Sequence, residues 1–99
     1  ADKVVSKNGK VLKIGKNIPT SKSNGEFLGI FRFSKVIAPI LIKNYMKIKK
    51  TYSSKSLQMH DFFNYLVKKK ITIYSSYVKG KYMEIDTFND YQIAKRKFK

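Results

Sequence analysis

Asn8-Gly9 is the feature that most constrains this chain. Both residues tolerate the positive φ angles of a two-residue hairpin turn, and they stand between Val4-Val5-Ser6-Lys7 and Lys10-Val11-Leu12-Lys13-Ile14. The chain is therefore expected to open on a β-hairpin. Residues 15–24 lack periodicity and carry Gly, Pro, Ser and Asn, so they read as a surface loop. Residues 25–34 ("GEFLGIFRFS") are β-rich and alternate after Gly29, with Ile30, Arg32 and Ser34 on one side and Phe31 and Phe33 on the other. They are expected to form a central strand.

Helical spacing takes over next. Ile37, Ile40, Leu41, Tyr45 and Ile48 mark an apolar face, and Pro39 is tolerable only in a first turn, which places the helix start near Ala38. Beyond a polar link, Ser56 is the expected cap of a second helix with Met59, Phe62, Phe63, Leu66 and Val67 inside. Lys68, Lys69 and Lys70 end it where the helix dipole favours cations. Residues 71–78 are a strand by β-branched and aromatic content, and Gly80 interrupts the chain before a short extended segment. Residues 87–98 read as a last helix, with Thr87 and Asp90 as a capping box. Six of the phenylalanine and tyrosine residues, Phe31, Phe33, Phe62, Phe63, Phe88 and Tyr91, are assigned to the core, because they follow element periodicity.

Composition narrows the chemistry. Ninety-nine residues, 42% of them hydrophobic, suit one domain (1–99) with a modest core rather than a basic disordered tail. The absence of cysteine excludes disulfides and thiolate metal sites, and a lone His60 excludes multi-histidine ones. His60 next to Asp61 reads as a helix-start pair rather than a catalytic one. No run of about 18 apolar residues and no signal-peptide pattern is present, so a cytoplasmic protein without membrane contact is expected. The chain begins at Ala1, and a piece of something longer is expected.

The net charge is +16, but all 22 cationic residues except Arg32 and Arg96 are lysine. Bidentate phosphate and base recognition favours arginine, so weak, non-specific, salt-sensitive attraction to nucleic acid is the expectation. A small basic RNA- or DNA-binding protein of ribosomal type is the competing functional reading.

Against that background, residues 82–91 ("YMEIDTFNDY") hold three of the six acidic residues. Alternation puts Glu84 and Asp86 on one face of an extended segment, about 7 Å apart by strand rise. Two such carboxylates could hold Mg²⁺, which takes one or two carboxylates and completes its shell with water and substrate phosphate, although the local pattern alone favours solvated charges ahead of a capped helix.

The longer pattern carries a resemblance. "NGKVLKIGK", "NGEFLGIFRFSK" and "GKYMEIDTFNDYQIAKRKF" resemble, in order and spacing, the carboxy-terminal part of a nucleotidyltransferase. The pattern resembles that of phosphocholine and 2-aminoethylphosphonate cytidylyltransferases, which are similar to sugar-phosphate nucleotidyltransferases. The strongest block, residues 80–94, is close to G-x-W-x-E-I-D-x-x-x-D-x-x-x-A, with Tyr82 at the Trp position. The resemblance implies an α/β fold, the carboxy-terminal portion of a Rossmann-like nucleotidyltransferase, as a mixed sheet with about three helices. It implies transfer of a nucleoside monophosphate from CTP or another NTP to a small phosphorylated or phosphonate amino-alcohol, with Mg²⁺ as cofactor. On it, Asp86 is the metal ligand, Glu84 beside it is a metal-site or substrate-ammonium contact, Glu26 sits by the acceptor, and Lys16 is the catalytic lysine facing phosphate. Tyr82 offers an aromatic wall to a choline-like cation. The family's Gly-rich nucleotide loop has no counterpart here, so the chain reads as an acceptor-side half, inactive alone. It is expected to pair with a nucleotide-binding half or to self-associate.

Overall fold

The computed structural model describes residues 2–52 and 56–87. The predicted helix over 87–98 lies outside the described residues apart from Thr87, as do Asp90, Phe88 and Tyr91. Five strands and two α-helices follow in the order β1 (Lys3–Lys7), β2 (Lys10–Gly15), β3 (Gly25–Phe33), α1 (Ala38–Thr51), α2 (Met59–Lys68), β4 (Ile73–Lys79) and β5 (Tyr82–Thr87). A 3-10 turn, Thr20–Lys22, interrupts the loop before β3.

Local sequence explains most element boundaries. Asn8 and Gly9 take φ of 55° and 78°, the two positive angles that turn β1 directly into β2. Pro39 sits in the first turn of α1, where its missing N–H costs no helical hydrogen bond. The start of α2 differs from expectation. Gln58, not Ser56, is the N-cap, and the Asp61 carboxylate accepts the Gln58 N–H at 3.0 Å while the Gln58 side chain caps the third helical residue. This reciprocal pair satisfies two backbone donors that Ser56 is too far upstream to reach.

The strands close into a barrel in the order β1-β2-β4-β5-β3, with β3 returning to β1. Only β3 and β5 run parallel; every other neighbouring pair is antiparallel. This corrects the expected Rossmann-like α/β architecture. That fold needs an open, largely parallel sheet with crossover helices on both faces. Here the two hairpins supply antiparallel neighbours, and the β1–β3 and β2–β4 pairings join the ends. The fold-level support for nucleotidyl transfer goes with it, and what is left is the local pattern around Glu84 and Asp86.

Closure is tightest where β3 meets β5. A Cβ on Gly25 would lie 2.3 Å from the Lys81 carbonyl oxygen and 2.8 Å from Met83 Cγ. Glycine is therefore required for the Glu26 N–H to reach Lys81 O at 2.8 Å and begin the parallel ladder. The opposite seam is looser: β2 and β4 share one register pair, Lys10↔Tyr74. Near the far end of β2, Asn64 of α2 takes the place of a strand. Its Oδ1 accepts the Ile14 N–H at 3.0 Å and its Nδ2 donates to Ile14 O at 2.7 Å.

One apolar cluster joins Val4, Val11, Ile14, Ile73, Met83 and Ile85 of the strands to Ile37 and to Leu41, Ile48, Phe62, Phe63 and Leu66 of the helices. Phe63 is its hub, with Phe31 and Phe27 ring centroids at 4.9 and 5.6 Å in edge-on arrangements. Four inward assignments need correction: Ile40 and Tyr45 of α1 are exposed, and Phe33 and Met59 are both more than half exposed. Phe33 ends β3 and Met59 opens α2, so each lies at the rim of the packed region. Among the described residues no helix is long and apolar enough to cross a membrane.

Candidate functional site

β5 lies between β3 and β4, so its backbone is paired on both edges while its side chains alternate. Met83 and Ile85 enter the apolar cluster, and Glu84 and Asp86 take the opposite face. The parallel register sets Arg32 beside Asp86, and the antiparallel register sets Ser76 beside Glu84 and Tyr74 beside Asp86. Three strands thus build one polar row.

Arg32 joins the two carboxylates. Its Nη2 donates to Glu84 Oε2, and its Nε lies 3.9 Å from Asp86 Oδ1. Ser76 Oγ donates to Glu84 Oε1 at 3.3 Å. Glu84 and Asp86 are 7% and 1% exposed, whereas the Arg32 side chain is 53% exposed. Two like charges drawn out of water repel unless a cation stands between them, and the guanidinium fork suits that position.

Glu26 and Tyr82 belong to the same face. They are register partners at the start of the parallel ladder. The register then shifts, with β3 advancing four residues from Phe27 to Phe31 while β5 advances two from Met83 to Ile85. An even difference preserves the alternation. Phe27 and Phe31 stay with the core, and Glu26 and Arg32 stay with Tyr82, Glu84 and Asp86. Four of the residues singled out from the sequence therefore share a face: Glu26, Tyr82, Glu84 and Asp86. Tyr82 is 44% exposed, so its ring is open to a ligand.

Lys16 does not join them. It is exposed, one residue past Gly15, whose partner Lys3 in turn pairs with Glu26. That places it at the same end of the barrel as Glu26 but across β1.

The residues fit a hard cation in one particular way. Among the described residues no three His, Cys, Asp or Glu side chains gather into a metal-binding group. Two carboxylates on one face match the sparser mode of Mg²⁺, in which water and substrate phosphate complete the shell. Arg32 already bridges the pair, from a side chain that is about half exposed.

Arg32, Ser76 and Tyr74 were missed by sequence reasoning. Only Arg32 leaves a trace there, as an arginine inside an apolar strand of a lysine-rich chain. His60 also has a fuller setting than its neighbour Asp61 indicated: Nδ1 lies 3.5 Å from Asp2 Oδ1, and Nε2 lies 3.5 Å from Asp61 Oδ1. This group is formed by the chain start and α2, away from the β5 carboxylates in sequence and element. Compared with known proteins, the chain matches no family model, no curated protein and no solved structure.

Proposed function

We propose that the polar face of β3 and β5 is a cation- and acceptor-binding surface for Mg²⁺-dependent nucleotidyl transfer, with a small phosphorylated or phosphonate amino-alcohol as acceptor and CTP as the favoured donor. The observation that carries this reading is the shared face of Glu26, Tyr82, Glu84 and Asp86, set by the parallel register and kept through its shift. Buried carboxylates lose hydration, and a cation that replaces it gains more there than at an open surface.

Each residue then has a task its position allows. Glu84 and Asp86 would hold the cation, whose chemistry when bound is to neutralise phosphate charge. Tyr82, with its exposed ring, and Glu26, its register partner, would receive the ammonium end of the acceptor. Arg32 would offer its fork to the phosphate once the carboxylates engage the cation. Lys16 would act at longer range, by raising the local concentration of phosphate at that end of the barrel. No Gly-rich phosphate loop precedes a helix in these 99 residues, so the triphosphate has to be cradled by another segment or chain.

Manganese, a spectroscopic substitute for Mg²⁺, provides the test. Titration of Mn²⁺ followed by electron paramagnetic resonance should show saturable binding that phosphocholine strengthens, and Asp86→Asn should weaken it by about tenfold or more, roughly 1.4 kcal/mol. Binding that is unchanged in both Glu84→Gln and Asp86→Asn would remove the cation site. Binding of phosphocholine that ignores Tyr82→Ala and Glu26→Gln would leave the cation site standing but remove the acceptor assignment.

A further inference from the structure

On the other side of β3 from Arg32, an apolar groove runs between the strand end and the two helices. One cavity of about 230 Å³ is lined by Phe31, Phe33, Ala38, Leu41, Ile42, Tyr45 and Phe62. An adjoining one of about 240 Å³ shares Phe31, Tyr45 and Phe62 and continues to Leu57, Gln58 and Met59. Neither has a charged side chain in its lining. Tyr45 stacks edge-on against Phe62 at 5.6 Å and forms the wall common to both.

The groove is flanked by apolar residues that the fold leaves in water. Ile42 is 64% exposed and Met46 and Phe33 are about half exposed. Ile42, Tyr45 and Met46 fall at i, i+3 and i+4, so they form a stripe along α1. A contiguous apolar surface of this kind on a small domain marks an interaction site. Its surroundings are cationic. α1 carries Lys43, Lys47, Lys49 and Lys50 and no acidic residue.

We infer that this groove docks an acidic amphipathic helix of a partner protein, with apolar residues on one face filling the two cavities and carboxylates meeting the α1 lysines. Helix-in-groove recognition uses anchors one turn apart, and the two cavities on either side of Tyr45 give an anchor each. Charge complementarity selects this occupant over a second copy of the chain. Two copies, each at +16, would set α1 lysines against α1 lysines. The groove opens on the face of β3 opposite the Glu84–Asp86 cluster, so the inference stands apart from the cation site.

The test is fluorescence anisotropy with a labelled peptide of about 18 residues, leucine along one helical face and glutamate elsewhere, against a scrambled peptide of the same composition. At about 0.15 M salt, where long-range attraction is screened, the patterned peptide should bind at least about tenfold more tightly than the scrambled one. Ile42→Asp should abolish that preference, and so should Phe33→Ser; both residues lie outside the packed core, and thermal melts verify folding. Equal binding of the two peptides would overturn the proposal by reducing it to the general field of the chain. A preference that survives both substitutions would overturn the location. Self-association by sedimentation that Ile42→Asp abolishes would put a second copy in the groove and overturn the choice of partner.

Discussion

Beyond Tyr82, the two faces of β5 are both withdrawn from water, but by opposite means. Met83 and Ile85 are buried because apolar neighbours surround them, while Glu84 and Asp86 are buried with a cation drawn in from β3. Apolar burial is non-directional, and its contribution scales roughly with area. The charged face gains little from burial itself, because desolvation opposes the attraction of Arg32 for its carboxylates. One face holds the barrel together; on the function proposed above, the other is kept ready for a different cation.

Substitutions that act on one face at a time separate these roles. Ile85→Ala should have the largest effect, a loss of about 2–5 kcal/mol in urea-unfolding free energy with little dependence on salt, since it opens a cavity beside Phe63. Gly25→Ala should follow at about 3 kcal/mol, because the Lys81 carbonyl just before β5 and the Met83 side chain block the added methyl and the parallel ladder must move. A change within about 0.5 kcal/mol would mean that β3 and β5 are less closely joined than described.

Arg32→Ala addresses the other face. Its expected cost is about 1–2 kcal/mol, reduced from the value for a fully buried pair because the guanidinium is half exposed. Added Mg²⁺ should recover part of that stability in the variant and less in the unsubstituted chain, as read by the shift in melting temperature. A cation effect equal in both proteins would count against competition between Arg32 and metal. Ser76→Ala, which removes one 3.3 Å hydrogen bond to Glu84, should cost about 0.5–1 kcal/mol and leave the Arg32 contact intact.

What could be read from the sequence was whatever neighbouring residues decide among themselves. Asn8-Gly9 announced the hairpin because positive φ is a property of those two residues, and Pro39 announced the start of α1 for the same reason. The alternation of Glu84 and Asp86 was equally local. Closure was not legible, because the β1–β3 and β2–β4 pairings join segments whose registers depend on the whole core. Arg32 escaped for that reason too: its carboxylate partner lies 52 residues away, and only the parallel register brings them together. The resemblance to Rossmann-like enzymes rested on motif order, which does not specify strand direction.

Asn64 carries a consequence for motion. Because its amide occupies both backbone groups of Ile14, the loose seam of the barrel is latched by a helix side chain rather than by a sixth strand. Hydrogen exchange at the Ile14 amide should therefore follow the undocking of α2, not the parting of β1 from β2. The free energy read at that amide, set against those of the β1–β2 ladder and of global unfolding, measures how far α2 opens on its own.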